Sequence, residues 1–317
     1  ALLGGEPTLY PDLLQVVSMI RLRGGAPVLC SNGIRLAEEP ALAEQLAAAG
    51  LQEVHLQFDG FDDEIYLRMR GRRMVEIKER ALENLARSGI RVILLATIEA
   101  GVNDDVLDQL LDYALGRPHI KGLIFRPAGA SGAPGGKEEV DIFPVDVLRL
   151  LESQTGGRIS EADVEMFQRV AFRLVRLLRT TAPGCFKDRF YVLLRRGGSY
   201  TPVSELLNLG RMEEALRQGA GRSPARLLKL LNPVRYLGKA DLRQLLTLAR
   251  FSLQQVSPGR SSGFTGGDGL FVLGVAGLCD RYNFDQRVTE TCPSSLFINN
   301  RFYRKLPQGL VRSNIRP

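Results

Sequence analysis

Short polar segments that carry glycine, amide or carboxylate groups recur at the ends of apolar runs in the first half of this chain. The first of them is Gly4-Gly5-Glu6-Pro7. Two adjacent glycines let a ligand approach the backbone closely, and a carboxylate beside them can accept hydrogen bonds from an ammonium group. The same tetrapeptide is also a plain connection between a strand and a helix. Its chemical interpretation therefore depends on the other segments.

Four similar segments lie farther along the chain. They are Ser31-Asn32-Gly33, Gln57-Phe58-Asp59-Gly60, Gly101-Val102-Asn103-Asp104 and Arg126-Pro127. Their amide, carboxylate and guanidinium groups can contact a polar ligand. Asn32 and Asn103 are equally suited to plain turns, because asparagine adopts left-handed backbone conformations more readily than most residues. The chemistry is therefore carried by the set of segments and not by any one of them.

The apolar runs next to these segments predict strands over residues 26–30, 53–58, 91–97 and 121–125. Amphipathic stretches between them predict helices over residues 12–22, 40–49, 75–88 and 104–115. This alternation is typical of βα units around a parallel sheet. Ligands of such folds bind at the carboxyl ends of the strands. We therefore expect the polar segments to form one site along that edge.

The composition narrows the class of protein. The chain has 317 residues, 44% of them hydrophobic and 24% charged, which excludes disordered chains and small disulfide scaffolds. Its four cysteines are few and scattered, which favours a reducing, cytoplasmic compartment. The chain has no apolar run of bilayer-spanning length, and its first residues are neither a signal peptide nor an initiator methionine. The expectation is a chain that has been cut at its front.

The charge is distributed unevenly along the chain. Residues 1–160 contain 17 Lys and Arg against 23 Asp and Glu, whereas the remainder contains 25 against 12. The basic remainder has helical periodicity, which predicts helices over residues 145–154, 160–180, 202–218 and 224–255. We therefore expect two units, 1–137 and 138–317, the second mainly helical with a small C-terminal β element. The basic helix faces are either solvated or bind an anionic ligand or membrane surface.

The order of the polar segments resembles that of radical S-adenosylmethionine (radical SAM) proteins. The likeness is closer to one branch, the tetraether lipid synthases and the radical SAM methyltransferases of tetrahydromethanopterin-type cofactor biosynthesis. That branch shares the Phe-Asp-Gly strand end, Arg70-Gly71 before a helix that contains Lys78, and a terminal segment like Asn283 to Cys292 here. The resemblance covers most of residues 1–160 and is patchy between 161 and 265. It implies an α/β fold built on a partial (β/α) radical SAM barrel.

The resemblance also implies roles for the residues at the strand ends. Gly4, Gly5 and Glu6, followed by Pro7, would hold the amino group of the methionine part of SAM. Ser31 stands where the family usually has threonine. The other implied cofactor-binding residues are Ser31, Asn32 and Gly33 near SAM, Gln57 and Asp59 near ribose or substrate, and Asn103 and Arg126 on the polar rim.

Radical SAM proteins bind a 4Fe–4S cluster through three cysteines with the spacing Cys-x-x-x-Cys-x-x-Cys. No cysteine of this chain has that spacing. In the family, the three cysteines precede the Gly-Gly-Glu element by about one βα unit. We therefore expect an N-terminally truncated barrel that lacks its first βα unit and is inactive as it stands. Cys185 and Cys292 lie where the family has ligands of an auxiliary iron–sulfur cluster, and Cys279 lies near Cys292. These three candidate metal ligands are too few to complete a cluster.

For the whole enzyme, the resemblance implies reductive cleavage of SAM to a 5′-deoxyadenosyl radical, which abstracts hydrogen from the substrate. The substrate is a lipid or a pterin-type one-carbon compound, so both C–C coupling and methyl transfer remain open. Expected partners are an electron donor such as ferredoxin or flavodoxin and an anionic membrane surface, with peripheral association; nucleic acid is not expected. The alternative is a degenerate, non-catalytic module that keeps the barrel and has no cluster.

Overall fold

The computed structural model describes residues 1–129, 141–178, 188–196, 199–219, 269–277, 295–298 and 301–304. Its strands are β1 (Val28–Ser31), β2 (Glu53–Gln57), β3 (Arg91–Ile98), β4 (Ile120–Pro127), β5 (Arg189–Arg196), β6 (Ser199–Pro202), β7 (Leu270–Val275), β8 (Ser295–Ile298) and β9 (Arg301–Arg304). Its helices are a 3₁₀ turn (Pro7–Leu9), α1 (Leu13–Leu22), α2 (Ile34–Glu38), α3 (Pro40–Ala48), α4 (Asp63–Arg70), α5 (Val75–Arg87), α6 (Leu107–Leu115), α7 (Pro144–Gln154), α8 (Glu161–Leu178), α9 (Val203–Leu206) and α10 (Leu209–Gly219). Within these ranges, no helix has the length and hydropathy needed to cross a bilayer.

Seven of the strands form one sheet in the order β1-β2-β3-β4-β7-β5-β6. Strands β1, β2, β3, β4 and β7 are parallel, and β5 and β6 add antiparallel pairs at the far edge. At the opposite edge, Leu2 forms a parallel bridge with Leu29 of β1. The Gly4–Glu6 segment therefore begins directly beside β1.

The two faces of the parallel strands differ in their surroundings, because successive residues of a strand point to opposite sides. One side packs against α5 and α6 and is fully buried, as at Leu29, Val54 and Leu94. The other side, which we call the open face, is only partly covered. Its residues include Cys30, His55, Gln57, Thr97 and Arg126.

The sequence pattern predicts the first half of the fold closely. The four predicted strands and the four predicted helices are confirmed, with ends that differ by at most three residues. The pattern does not predict α2 or α4, because helices of five and eight residues are too short to show a clear helical period. Both of these short helices lie at the carboxyl ends of strands, next to the polar segments.

The helical prediction for the later half misses β5, β6 and β7, which belong to the same sheet as β1–β4. All six residues of β7 are buried, so the strand lacks the alternation that marks a half-buried strand. The predicted helix over 202–218 consists of two helices, α9 and α10. Asn208 is the N-cap residue of α10, and its Oδ1 accepts a hydrogen bond from Arg211 N at 2.9 Å.

Several predictions for the later half lie outside the described residues. They are the helix over 224–255 and the candidate metal ligands Cys185, Cys279 and Cys292. The division into units 1–137 and 138–317 stays a prediction. The shared sheet shows that the described strands on both sides of residue 137 pack into one layer.

Candidate functional site

The polar segments lie together at the carboxyl ends of the parallel strands. We distinguish two parts of this region. The Glu6 edge consists of Glu6, Ser31, Asn32 and Gly33 and lies beside β1. The Asp59 edge consists of Gln57, Asp59, Thr97 and Asn103 and lies at the ends of β2 and β3.

The carboxylate of Glu6 is held by four hydrogen bonds. Its Oε1 accepts from Thr8 N at 3.2 Å, from Thr8 Oγ1 at 2.7 Å and from Ser31 Oγ at 2.9 Å. Its Oε2 accepts from Asn32 N at 2.8 Å. Pro7 begins the 3₁₀ turn directly after Glu6, with Glu6 as its N-cap residue. The carboxylate is thus fixed in direction, and Oε2 keeps acceptor capacity for one more donor.

The backbone on the other side of Glu6 is open. A Cβ added at Gly4 or at Gly5 would meet no atom within 4 Å, and Gly4 has a positive φ of 153°. Within the described part of the chain, no hydrogen bond uses the N–H or C=O groups of these two glycines. A ligand can therefore reach main-chain donors and acceptors at Gly4 and Gly5 together with the Glu6 carboxylate.

The turn after β1 holds itself in shape. Ser31 Oγ accepts a hydrogen bond from Gly33 N at 3.0 Å, and Asn32 Oδ1 accepts one from Ile34 N at 2.9 Å. Gly33 has φ +83°, and a Cβ there would lie 2.7 Å from Leu56 Cδ1. Only glycine fits this position, because any side chain meets both the left-handed backbone and the neighbouring strand.

A buried lysine supports this turn from below. Lys78 of α5 is 0% exposed, and its Nζ donates to the Asn32 carbonyl oxygen at 2.5 Å. The Nζ also lies 5.7 Å from the centre of the Tyr66 ring. Burial lowers the pKa of Lys78 to about 8; the Asp59 and Glu6 carboxylates oppose this shift, whereas Arg70 adds to it. Lys78 therefore connects the two edges electrostatically.

The sequence contains a signal for Lys78 that motif reading alone does not use. Lys78 falls three residues before Ala81 and four before Leu82, on the apolar side of α5, where both neighbours are buried. A lysine on the buried side of an amphipathic helix needs a polar partner inside the fold. The resemblance includes this lysine as part of a motif without giving it a role.

At the Asp59 edge, every carboxylate oxygen is used inside the protein. Asp59 is 0% exposed. Its Oδ1 accepts from Thr97 N at 2.9 Å, and its Oδ2 accepts from Gln57 Nε2 at 2.5 Å and from Arg70 Nε at 3.0 Å. Its own backbone N–H donates to Tyr66 Oη at 3.0 Å. The carboxylate therefore joins β2, β3 and α4.

The amide of Asn103 is used in the same way. It is 0% exposed, and its Nδ2 donates to the carbonyl oxygens of Asp59 and Thr97 at 2.7 and 2.8 Å. Its Oδ1 accepts from Glu99 N at 2.8 Å. These contacts fasten the loop after β3 to the end of β2. Ligand contact by Asp59 or Asn103 stays a prediction.

Two other predicted residues have groups directed to the open face. Gln57 is half-buried, and within the described residues its Oε1 takes part in no hydrogen bond. Arg126 is exposed and stands opposite Thr97 in the register of β3 and β4. Both residues therefore lie on the side of the sheet where a ligand that starts at Glu6 would continue.

The floor of the open face carries titratable side chains. His55 stands opposite Cys30 in the register of β1 and β2, and its Nε2 lies 3.1 Å from Glu53 Oε1. Burial by itself lowers the pKa of His55, but hydrogen bonds to Cys30 and Glu53 outweigh it and raise the pKa to about 9. The imidazole is therefore cationic at neutral pH. This part of the open face is polar and charged.

The donor set favours an amino-acid-like ligand over a metal. Within the described residues, no three His, Cys, Asp or Glu side chains are grouped as metal ligands, and Cys30 is the one free cysteine described. The predicted auxiliary ligands Cys185, Cys279 and Cys292 lie outside those residues. The Glu6 edge instead offers a carboxylate with accessible glycine backbone, which suits an ammonium group.

Comparison with known proteins gives relatives of one kind. Residues 1–114 match the family model described as the radical SAM superfamily. The chain is 28% identical over 247 residues to the 7,8-dihydro-6-hydroxymethylpterin dimethyltransferase of Methanocaldococcus jannaschii. The aligned stretch covers 73% of this chain and 49% of that protein. It is 30% identical over 233 residues to a probable GTP 3′,8-cyclase of Aeropyrum pernix, and this aligned stretch covers 67% of this chain and 62% of the relative.

A solved structure of Streptococcus suis SuiB bound to S-adenosylmethionine superposes with a TM-score of 0.41 at 18% identity, covering 48% of this chain and 34% of that one. The chain spans about half the length of the pterin dimethyltransferase that it matches. The named relatives are enzymes. Residues 1–114 thus match a radical SAM superfamily domain, and the two relatives named above are similar to the chain over a longer stretch.

Proposed function

We propose that the Glu6 edge binds S-adenosylmethionine, with Gly4, Gly5 and Glu6 around the amino group of its methionine part. The observation that carries this proposal is the Glu6 carboxylate, which four hydrogen bonds fix beside two glycines whose backbone is open. A fixed carboxylate binds an ammonium group well, because little conformational freedom is lost on binding. Pro7, Ser31, Asn32 and Gly33 act by holding this geometry.

The rest of SAM would extend along the strand ends toward β2 and β3. Gln57 Oε1 is suitably placed to accept a hydrogen bond from a ribose hydroxyl, since it lies on the open face at the next strand. Asp59 positions Gln57 through the bond at 2.5 Å. When reduced at an iron–sulfur cluster, SAM supplies a 5′-deoxyadenosyl radical. The residues named here bind and orient SAM, whatever its later reaction.

The described residues do not fit a 4Fe–4S cluster. Three thiolates are required, and Cys30 is the one cysteine whose position is described. Cys30 lies on the open face opposite His55. We therefore derive no step through a cluster, and the reductive cleavage of SAM stays part of the proposal for the whole protein.

For the substrate, we propose a polar, pterin-type one-carbon compound in preference to a lipid chain. The open face carries Leu95 and Ile124 beside the polar or charged groups of His55, Gln57 and Arg126. A lipid chain would leave those polar groups without partners, whereas a polar heterocycle can bind to them. The named relatives include a protein called a pterin dimethyltransferase and one called a GTP cyclase, which supports a nitrogen heterocycle. Methyl transfer is the corresponding reaction class.

A second candidate function is a SAM-binding module without catalysis. The observation that favours it is that the described residues contain no set of three cysteines that could bind a cluster. Both candidates require SAM binding, so a binding experiment tests what they share. A separate reaction experiment then distinguishes the enzyme from the non-catalytic module.

The binding experiment is equilibrium dialysis of the chain against radiolabelled SAM. We expect Glu6→Gln to weaken SAM binding at least about tenfold, because a charge-assisted hydrogen bond to the ammonium group is lost. The matched control is Glu44→Gln on the exposed side of α3, which should bind SAM as the parent chain does. Equal affinities for the parent chain and both variants would refute the proposed role of Glu6.

The reaction experiment is anaerobic reconstitution with iron and sulfide, followed by measurement of 5′-deoxyadenosine in the presence of dithionite and SAM. Formation of 5′-deoxyadenosine that depends on Glu6 supports the enzyme. SAM binding without any 5′-deoxyadenosine in the longest available form of the protein supports the module instead.

A further inference from the structure

A corner of the open face, at the ends of β3 and β4, combines two guanidinium groups. Arg70, the last residue of α4, donates from Nε to Asp59 Oδ2 at 3.0 Å and from Nη2 to Thr97 Oγ1 at 3.1 Å. Thr97 stands opposite Arg126 in the parallel register, so the two side chains lie on the same face. Arg70 and Arg126 therefore flank one threonine.

Arg70 is held in place before any ligand arrives. Its partner Asp59 is 0% exposed and is itself fixed by Thr97 N and Gln57, whereas the Arg70 side chain is 32% exposed. Two of its N–H groups are used, and within the described residues Nη1 donates no hydrogen bond. A guanidinium that is fixed on one side and accessible on the other loses little entropy when it binds an oxyanion.

The charge at this corner is not balanced. Asp59 compensates Arg70. Arg126 forms no ion pair with any acidic side chain of the described ranges, and neither does Arg68, which donates to the Gly101 carbonyl oxygen from the neighbouring turn. Arg126 and Arg68 therefore present guanidinium charge that no ion pair within the described ranges neutralises.

The corner is separate from the methionine end of SAM. Three strand spacings lie between β1, beside Glu6, and β4, which bears Arg126. At the usual spacing between strands, this separation is about 14 Å. The amino and carboxylate groups of one amino acid share a carbon atom, so a ligand whose ammonium group is at Glu6 cannot place that carboxylate at Arg126. The anion that fits the corner belongs to another molecule.

We propose that Arg70 and Arg126 form a phosphate-binding subsite for the substrate. The inference rests on the proposed function, because it takes the Glu6 edge as the SAM end and the β4 end as the substrate end. Phosphate matches two guanidinium groups better than a single carboxylate does, since its oxygens can accept from both at once. The phosphate is carried either by a soluble heterocyclic substrate or by a lipid head group.

The test is the reactivity of individual arginines of the 317-residue chain toward phenylglyoxal, measured with and without pyrophosphate. Peptide mass spectrometry identifies which arginines are modified. We expect pyrophosphate to slow modification of Arg126 about tenfold, in line with a charge-assisted contact. Arg23 is the internal control. It is exposed, follows α1 directly and precedes β1, which is three strands away from β4 in the sheet, so its reactivity should not change.

Variants and added ligands make the result specific. Arg126→Gln should weaken pyrophosphate binding about tenfold by calorimetry, and Arg23→Gln should leave it unchanged. Protection of Arg126 by phosphatidylglycerol vesicles, with none by phosphatidylcholine, assigns the phosphate to a lipid head group. Protection by pyrophosphate without protection by vesicles assigns it to a soluble substrate.

Three outcomes would overturn the subsite. They are equal loss of reactivity at Arg23 and Arg126, no protection by pyrophosphate or by vesicles, and protection of Arg126 by SAM alone. Because the pyrophosphate and vesicle readouts need neither SAM nor a cluster, their failure leaves the Glu6 proposal standing. Failure of the Glu6→Gln dialysis experiment likewise leaves the phosphate result as measured.

Discussion

The Glu6 edge and the Asp59 edge use the same kinds of side chain to different ends. Beside β1, Glu6 is directed by Thr8, Ser31 and Asn32, while the adjoining glycine backbone has no partner among the described residues. At the ends of β2 and β3, Asp59 and Asn103 are fully buried, and their polar atoms are used by neighbouring strands and loops. The Glu6 edge keeps open acceptors beside its carboxylate, whereas the Asp59 carboxylate and the Asn103 amide have used theirs.

The difference shows that position at a strand end does not by itself make a residue a ligand. The Asp59 carboxylate is 0% exposed, and its hydrogen bonds join β2, β3 and α4 in the interior. The Glu6 carboxylate also accepts hydrogen bonds from the protein, but it is partly exposed and lies beside glycine backbone that a ligand can reach. The Asp59 edge therefore gives the site its shape, and the Glu6 edge gives it affinity. Each of the following changes tests that division.

The largest effect is expected for Asp59→Ala. This change removes the carboxylate and leaves Arg70, Gln57 and the Thr97 N–H without their acceptor in the interior, which should lower the free energy of unfolding by about 3–5 kcal/mol. Urea unfolding at pH 7 measures it. Asp112→Ala, on the exposed side of α6, is the matched control and should change stability by less than about 0.5 kcal/mol. Similar losses for both variants would mean that Asp59 does not join the strands.

Next in size is the pH dependence that Lys78 contributes. Its pKa is lowered to about 8 in the folded chain from 10.5, so between these values the unfolded chain binds more protons than the folded one. Stability from this group therefore rises as the pH increases from 8 to 10.5, by up to about 3 kcal/mol. Urea unfolding of Lys78→Met across this range should lack the rise.

The comparison must be made as a difference between Lys78→Met and the parent chain, because His55 acts in the opposite sense. Its pKa is raised from 6.5 to about 9, so its contribution to stability is present below pH 6.5 and is lost as the pH increases to 9. Arg80→Gln, an exposed change on α5, controls for loss of one positive charge. An unchanged pH slope in Lys78→Met would contradict a buried ammonium group beneath Asn32.

A smaller effect is expected for Gly33→Ala at the Glu6 edge. The change adds a Cβ at 2.7 Å from Leu56 Cδ1 to a left-handed backbone with φ +83°, and should cost about 2–3 kcal/mol. Gly89→Ala is the matched control, because Gly89 has φ +69° and open space at its Cβ, so only the backbone term of about 1 kcal/mol applies. Equal losses of unfolding free energy would show that the contact with β2 relaxes.

The sequence predicted the parallel strands and the candidate residues at their ends because both depend on local patterns. Apolar runs give the strands, and Gly-Gly-Glu and Ser-Asn-Gly mark the turns that follow them. The use of each side chain depends on partners distant in sequence: Asp59 meets Thr97 from β3, and Lys78 meets Asn32 from β1. Motif reading therefore places Asp59 and Glu6 in one list, although their surroundings separate them.

The later half shows the same limit for the fold. Helical periodicity predicts α7, α8 and α10, whose amphipathic patterns are strong. It does not predict that β7 inserts between β4 and β5, because that order is a matter of sheet topology and β7 is apolar on both sides. Arg126 gains its significance from the same topology, which places it on the open face opposite Thr97.

The central claim is that SAM binds at the Glu6 edge and that the Asp59 edge supports it. Hydrogen–deuterium exchange of the chain with and without SAM tests this most directly. We predict slower exchange in peptides covering residues 2–9 and 29–35 when SAM is present, and no change in residues 97–104, whose contacts to Asp59 and Asn103 are already formed. Slower exchange confined to residues 97–104, with residues 2–9 unaffected, would contradict the account.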